Sequence, residues 1–235
     1  MAVDFHSHIL PGIDDGSSSL KESIGMLRME AEQGIRHVIA TPHFYAKHDS
    51  PERFLARRKA SEEQLREVLE EHPELPRITL GAEVYYFPGI SDSEALLGLT
   101  IDKTGCILLE MPYPPWTSRM YQEIENIRVK QGLTPVIAHI DRYIRPFKTY
   151  GIPEQLSQMP VLVQANASFF LRKSTASMAM RMLKQDRIHL LGSDCHNLKD
   201  RLPNLGDAYT QIQRRLGEEA IARIEFYEQE IVKPL

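Results

Sequence analysis

The chain has 235 residues, 42% hydrophobic and 26% charged, with a net charge of −4 and a pI near 6.2. That is enough apolar material for a full core, and it argues against disorder, a nucleic-acid-coating surface or binding to anionic membrane. Two cysteines, Cys106 and Cys195, are too few for a disulfide framework and fit a reduced, cytoplasmic setting; neither a signal-peptide pattern nor a run approaching ~20 apolar residues is present.

The first predicted element is a strand from Val3 to His8, where period-2 alternation puts Asp4, His6 and His8 on one face. A Pro11-Gly12 turn leads to Asp14-Asp15-Gly16. Leu20, Ile24, Leu27 and Ala31 mark one face of a helix that ends near Gly34. Val38 to Thr41 is a short strand stopped by Pro42, and Ser50 to Glu71 reads as a charged surface helix ended by Pro73 and Pro76. Further strands follow at Ile78–Glu83, Gly105–Glu110, Pro135–His139, Val161–Asn166 and Ile188–Asp194. Helices are marked by Met120, Ile124 and Ile127, by Met178, Met182 and Leu183, and by the periodic Ile212, Leu216, Ile221 and Ile224. Seven apolar strands alternating with helices predict an α/β fold with parallel strands, as one domain over residues 1–235. No Gly-rich phosphate loop follows the first strand, so a dinucleotide-binding sheet has no support.

The residues at the strand C-termini carry the chemistry. They are His6 and His8, then His43, Glu83, Glu110, His139, Asn166, and Asp194 with His196. Five of the nine histidines stand in these places, while His37 and His189 read as strand-start or core residues and His48 and His72 as surface residues. In parallel α/β folds the strand C-termini gather on one face, where sites are assembled. A His/Asp/Glu set without cysteine suits Mn, Fe or Zn, in more than one copy, with carboxylates bridging. Three divalent ions against Asp15, Glu83, Glu110 and Asp194 leave about +2, enough to attract a phosphate inside an acidic protein.

These residues resemble the PHP (polymerase and histidinol phosphatase) superfamily. Its carriers here are His6-Ser7-His8, Thr41-Pro42-His43, Glu83, Glu110, His139 and Ser193-Asp194-Cys195-His196. Within it, the stretches Asp4–Gly16, Gly34–His43, Gly81–Tyr86, Leu108–Tyr113, Thr134–His139 and Ser193–Asn197 resemble the CpsB/CapC family of bacterial manganese-dependent protein tyrosine phosphatases. The resemblance implies a distorted (β/α)7 TIM-like barrel with a trinuclear Mn centre, in which Fe, Zn, Mg or Co could stand in. It implies that His6, His8, Glu83 and Asp194 hold one ion, and His43, Glu110 and His139 another. Asp15 and His196 complete the third. Arg142 and Arg201 match the family's two phosphate-binding arginines. The chain departs from the family at His139-Ile140-Asp141-Arg142 in place of His-Pro-Glu-Arg, at Cys195 in place of a small residue, and in the glycine-free loop Ala167-Ser168-Phe169-Phe170.

The implied reaction is phosphomonoester hydrolysis of protein phosphotyrosine by a water activated between ions, with Asp194 or His196 available to protonate the leaving group. The implied partner is the phosphorylated tail of a bacterial tyrosine kinase that regulates capsular or extracellular polysaccharide synthesis; a homo-oligomer is compatible with the sequence. Phe44, Tyr45, Tyr113, Trp116 and Tyr143 lie just past strand ends, where each either walls a ring pocket or packs over the barrel mouth. Cys195 and Arg201 also show the C-x5-R spacing of cysteine-dependent phosphatases. The intervening residues contain no glycine to aim backbone amides at a phosphate, so this spacing is read as accidental. The alternatives are a histidinol-phosphate-type or other small-molecule phosphatase or phosphodiesterase, and a non-catalytic barrel that binds phosphorylated tails.

Overall fold

Each apolar run of the sequence becomes a strand; the Ile78–Glu83 run is divided in two, and a short unpredicted strand follows Pro42. The computed structural model describes residues 2–144 and 149–232, so both ends of the expected 1–235 unit lie outside the described residues. In chain order the strands are β1 (Val3–Ser7), β2 (His37–Ala40), β3 (His43–Phe44), β4 (Arg77–Leu80), β5 (Glu83–Tyr85), β6 (Cys106–Glu110), β7 (Thr134–Ile137), β8 (Leu162–Asn166) and β9 (Leu190–Gly192). They form two parallel sheets, β1-β2-β4 and β3-β5-β6-β7-β8-β9. The expectation of seven strands is thus corrected. Pro42, which has no N–H for a ladder, separates β2 from β3, and Gly81-Ala82 separates β4 from β5. The two breaks lie side by side, and pairing crosses them: Gly81 N donates to Ala40 O at 2.8 Å and Glu83 N to Pro42 O at 3.0 Å. On the other edge of β1, Asp194 N donates to His6 O at 2.7 Å and His8 N to Cys195 O at 2.9 Å. The result is a mixed α/β fold built on curled parallel sheets.

The helices begin and end where local chemistry dictates. α1 (Leu20–Glu32) is capped by Ser19, whose side chain accepts from Glu22 N, and it buries Met26 and Leu27. α2 (Pro51–Glu71) starts with the Ser50 cap and a proline in its first turn. It buries only Phe54, Arg58, Ser61 and Leu65, consistent with its charged sequence. α3 (Leu96–Leu99) is a single turn, and α4 (Ser118–Gln131) runs from the Thr117 cap to a left-handed Gly132. α5 (Ile152–Leu156), α6 (Ala167–Leu171) and α7 (Ala176–Lys184) follow. The predicted C-terminal helix is two, α8 (Leu205–Leu216) and α9 (Glu218–Ile231), divided at Gly217, whose φ of 81° and ψ of −177° suit glycine alone.

Two apolar clusters hold these layers together. The larger joins the outer faces of the strands to the helices. The smaller, with Val3, Phe5, Ile39, Leu108, Val136 and Leu190, lies between the strands, and α9 brings Ile231 and Tyr227 against it. The opposite, C-terminal ends of the strands are left for polar residues. Among the described residues no helix is long and apolar enough to cross a membrane.

Candidate metal centre

Every residue expected to bind metal comes to the C-terminal ends of the strands, and most are buried there. His6 Nε2 lies 3.2 Å from His8 Nε2 and 3.1 Å from Glu83 Oε2. Asp194 Oδ1 is 3.6 Å from both imidazole nitrogens. His43 bridges two regions: Nδ1 is 2.9 Å from Glu83 Oε2 and Nε2 is 3.4 Å from Asp15 Oδ1. His196 Nε2 lies 3.6 Å from the same Asp15 oxygen. His139 Nε2 approaches Glu83 Oε1 at 2.7 Å and Glu110 Oε1 at 3.5 Å. Among the described residues, ligand atoms close enough to share an ion form four groups; three overlap here, namely His6, His8 and Asp194, then His8, Asp15, His43 and His196, then His43, Glu83 and Glu110, while Asp4, Glu30 and Cys195 form a separate one.

The donor geometry fits cations better than it fits internal hydrogen bonds. Buried His43 Nδ1 and Glu83 Oε2 face each other, yet neither makes a hydrogen bond, and Glu110 Oε2 and His196 Nε2 are buried without one as well. Buried polar atoms are normally satisfied, so such a concentration at one point calls for an ion. Charge says the same. Burial disfavours a charged His8, but Asp14 and Glu83 override it and push the imidazole up to about 10. Burial likewise opposes a charge on His139, yet Glu110 and Glu83 raise it to about 9. Glu83 and Asp194, despite burial, are held well below the usual carboxylate range, chiefly by His6 among other neighbours. His196 is pushed down to about 3 by burial and by His8. Carboxylates that hold protons on buried imidazoles draw divalent cations by the same attraction, and the cation competes for those lone pairs.

The backbone is shaped to deliver these side chains. His139 and Asp194 both have positive φ, 32° and 54°, a costly conformation that persists where surroundings over-determine it. After His139 a single 3-10 turn, Ile140–Arg142, carries Arg142 inward. Arg142 then reaches Glu110 Oε1 at 3.2 Å and Asp194 Oδ2 at 2.7 Å. The Ile140-Asp141 departure therefore leaves this arginine at the site, and Asp141 accepts from Asn166 N instead. Arg201 reaches Asp194 Oδ1 at 2.7 Å. Strict alternation along β1 does not hold, because its ladder shifts register between Asp4 and Ser7. Asp4 turns to Ser193, and to Glu30 on α1, while His6 faces the cluster; shifts of this kind re-aim side chains beside functional sites.

Two residues position the cluster, Asn166 at a strand end as expected and Gln164, which the strand-end pattern does not include. Gln164 Oε1 accepts from His139 N at 2.6 Å and sits 3.3 Å from His6 Nδ1. Its sequence signal was a polar residue inside an apolar strand, two before Asn166 and on the same face. Asn166 donates to Asp194 Oδ2 at 2.9 Å. Asp14 lies 2.8 Å from His8 Nδ1 and accepts from the His43 backbone N at 3.0 Å, so one carboxylate oxygen orients the His8 imidazole and holds the backbone that carries His43. Cys195 is fully buried, and burial pushes its thiol well above the ordinary range, as a nucleophile's would not be. Of the aromatic residues past strand ends, Phe44, Trp116 and Tyr143 are buried in the packing and Tyr113 is 75% exposed. Tyr45 lies between these extremes, its ring 5.2 Å from that of His43.

Comparisons with known proteins agree with this geometry. The chain is 30% identical over 225 residues to the tyrosine-protein phosphatase CpsB of Streptococcus pneumoniae, covering 92% of this chain and 91% of that protein. It is 29% identical over 225 residues to the tyrosine-protein phosphatase YwqE of Bacillus subtilis, covering 92% and 86%. It superposes with a TM-score of 0.83 and 25% identity on a chain from the crystal structures of B. subtilis YwqE and S. pneumoniae CpsB, described as unique metal-dependent tyrosine phosphatases; 97% of this chain and 94% of that one are covered. An organophosphorus hydrolase variant from Deinococcus radiodurans shares the fold alone, with a TM-score of 0.54, 15% identity and coverage of 98% and 92%. The model of the capsular polysaccharide synthesis family CpsB/CapC matches residues 2–232. With its histidines and carboxylates gathered at the strand ends beside two arginines, the chain belongs to the CpsB/CapC family.

Proposed function

We propose that the chain is a metal-dependent protein tyrosine phosphatase. The observation that carries this reading is the convergence of unbonded, buried His43 Nδ1 and Glu83 Oε2 among seven further His, Asp and Glu side chains, with Arg142 and Arg201 beside them. His6, His8, Glu83 and Asp194 would hold one ion, and His43, Glu110 and His139 a second. Asp15 and His196 would complete a third with His43 or His8 close by. Divalent ions bound there, Mn by family resemblance, supply the Lewis acidity and positive charge for attack of water on phosphorus. Arg142 and Arg201 bind the phosphate oxygens and offset the charge that builds on them. In this structure both guanidiniums rest on Asp194, so an incoming phosphate exchanges one anionic partner for another. Asp194, held ionised, suits ligand work better than proton donation, and a phenolate leaving group needs little protonation.

The relatives' names supply the substrate class, and the capsule link supplies its setting. We take the partner to be a phosphotyrosine-bearing tail of a bacterial tyrosine kinase, met in the cytoplasm. We also infer that the two sheets complete a distorted (β/α)7 barrel. The hydrogen bonds across the paired breaks, and those from residues 194 and 8 along the free edge of β1, support closure.

The test is phosphate release from a phosphotyrosine peptide, histidinol phosphate and a phosphodiester, before and after chelation, with metal content measured. Release from the peptide that is lost on chelation and persists in Cys195→Ser is expected. Preference for either other substrate would move the reading to the small-molecule alternative; chelation-resistant release lost in Cys195→Ser would sink it.

A further inference from the structure

Two cavities flank the metal centre, and they differ in chemistry. One, of about 600 Å³, opens on the Asp194 side among Asp141, Arg142, Ser168, Arg172 and Arg201. Among the described residues no aromatic side chain lines it. The other, of about 580 Å³, opens on the Asp15 side and is lined by Ile13, His43, Tyr45 and His48 together with the charged Asp14, Asp15, Asp49, Arg53 and Arg57. A phosphotyrosine side chain is a flat apolar ring joined to a dianion. Its two halves need two environments: one cavity presents the Tyr45 ring beside arginines already paired to Asp49, and the other presents Arg142, Arg172 and Arg201 with no aromatic ring.

We propose that the Tyr45 cavity takes the aromatic ring of the substrate, with Tyr45 as a specificity-determining residue stacked on it, while the phosphate lies toward Arg142 and Arg201. This rests on the phosphotyrosine reading above. Tyr45 is fixed for the task. Its ring packs 5.2 Å from His43 and 5.6 Å from Tyr85, and His48 lies 6.3 Å away. It is partly exposed, unlike Phe44, Trp116 and Tyr143, which face the packing. Aromatic pairs of this kind gain from offset or tilted contact beyond the area they bury. The floor beneath is also held in place. Arg57 donates to Ile13 O at 2.8 Å and pairs with Asp49, which Arg53 pairs as well, so both guanidiniums that line the cavity are already engaged. The contact of Tyr45 with His43 puts the ring subsite directly against the centre where phosphorus reacts.

Kinetics and binding separate the outcomes. In metal-loaded Tyr45→Ala, KM for a phosphotyrosine peptide rises roughly tenfold, and more than KM for the same peptide carrying phosphoserine. Kd for a peptide bearing a non-hydrolysable phosphonate analogue of phosphotyrosine rises in parallel. Tyr45→Phe keeps the ring and stays within about twofold of the parent protein on both measures, and Tyr113→Ala serves as the exposed control. Equal loss on both peptides, loss with reduced metal content, or no change in the phosphonate Kd would overturn the proposal. Absence of phosphate release from the phosphotyrosine peptide by the unaltered, metal-loaded protein would instead overturn the parent reading.

Discussion

At the scale of single residues, the site depends on side chains that touch no substrate. Gln164 is the clearest. Its carbonyl oxygen accepts from the His139 backbone N and faces His6 Nδ1, so it ties the His6 imidazole on β1 to the backbone that carries His139 after β7. Partners of this kind set the orientation and basicity of ligand histidines. Gln164→Leu, similar in volume, is therefore expected to weaken metal binding about 10–100-fold, read by calorimetric titration of the metal-depleted protein. Unchanged affinity would mean that packing alone orients His6 and His139. The candidate ligands were legible in the sequence because all but Asp15 stand at or just past the end of an apolar run. Gln164 was not, since a polar residue within a strand shows no partner until β8 is paired with β7 and β9 and its side chain meets His6 of β1.

Elements bring a different kind of constraint, close approach. A Cβ at Gly192, on β9, would stand 2.5 Å from His6 Cβ and 2.9 Å from His6 N. Gly192→Ala should force β9 from β1 at the point where Asp194 and His6 meet, costing roughly 1–3 kcal/mol. A lower melting temperature with weakened metal binding is the expected result; a fall in stability alone would detach Gly192 from the site. The α8–α9 pair carries a pH dependence. Buried Glu228 on α9 accepts a hydrogen bond from the Tyr209 hydroxyl on α8. Burial pushes the carboxyl up to about 8 against the pull of that bond. A raised folded-state pKa means the folded protein binds the proton more tightly, so the contribution is complete below the ordinary value near 4.5 and is lost as pH rises to about 8. The slope from this group is at most about 1.4 kcal/mol per pH unit. Urea unfolding at pH 5 and pH 8 should show a smaller pH-dependent loss of stability in Glu228→Gln. An identical loss in both proteins would place the dependence elsewhere, with buried Glu30, raised by burial and by Asp4, the next group of the same sign.

For the whole molecule, the candidate metal centre is also a point where separate strands meet. Its candidate ligands come from β1 and the loop after it, from the first residues of β3 and β5, from the end of β6 and from the segments after β7 and β9. Ions that bind only the folded state stabilise it by mass action, about 2.7 kcal/mol for one site at a hundredfold excess over Kd. Chelation should therefore lower the melting temperature, and Mn should restore it. A melting temperature indifferent to chelation would separate metal binding from folding. The seven-strand expectation fell short at this scale too, because Pro42 and the Gly81-Ala82 step each break a strand without ending its path.

By itself the sequence determined the strand–helix alternation, the parallel pairing and the identity of the ligand-type residues. These are local properties, set by apolar periodicity and by which side chains can donate to a cation. Only the tertiary structure decided that Asp14 serves His8 and His43 together, that Asp4 turns away from the cluster, and that Tyr45, alone among the five aromatics considered, lines the cavity beside the ligands. The reason is physical: which neighbours a side chain meets depends on register, twist and packing between segments far apart in the chain, and no local pattern encodes them.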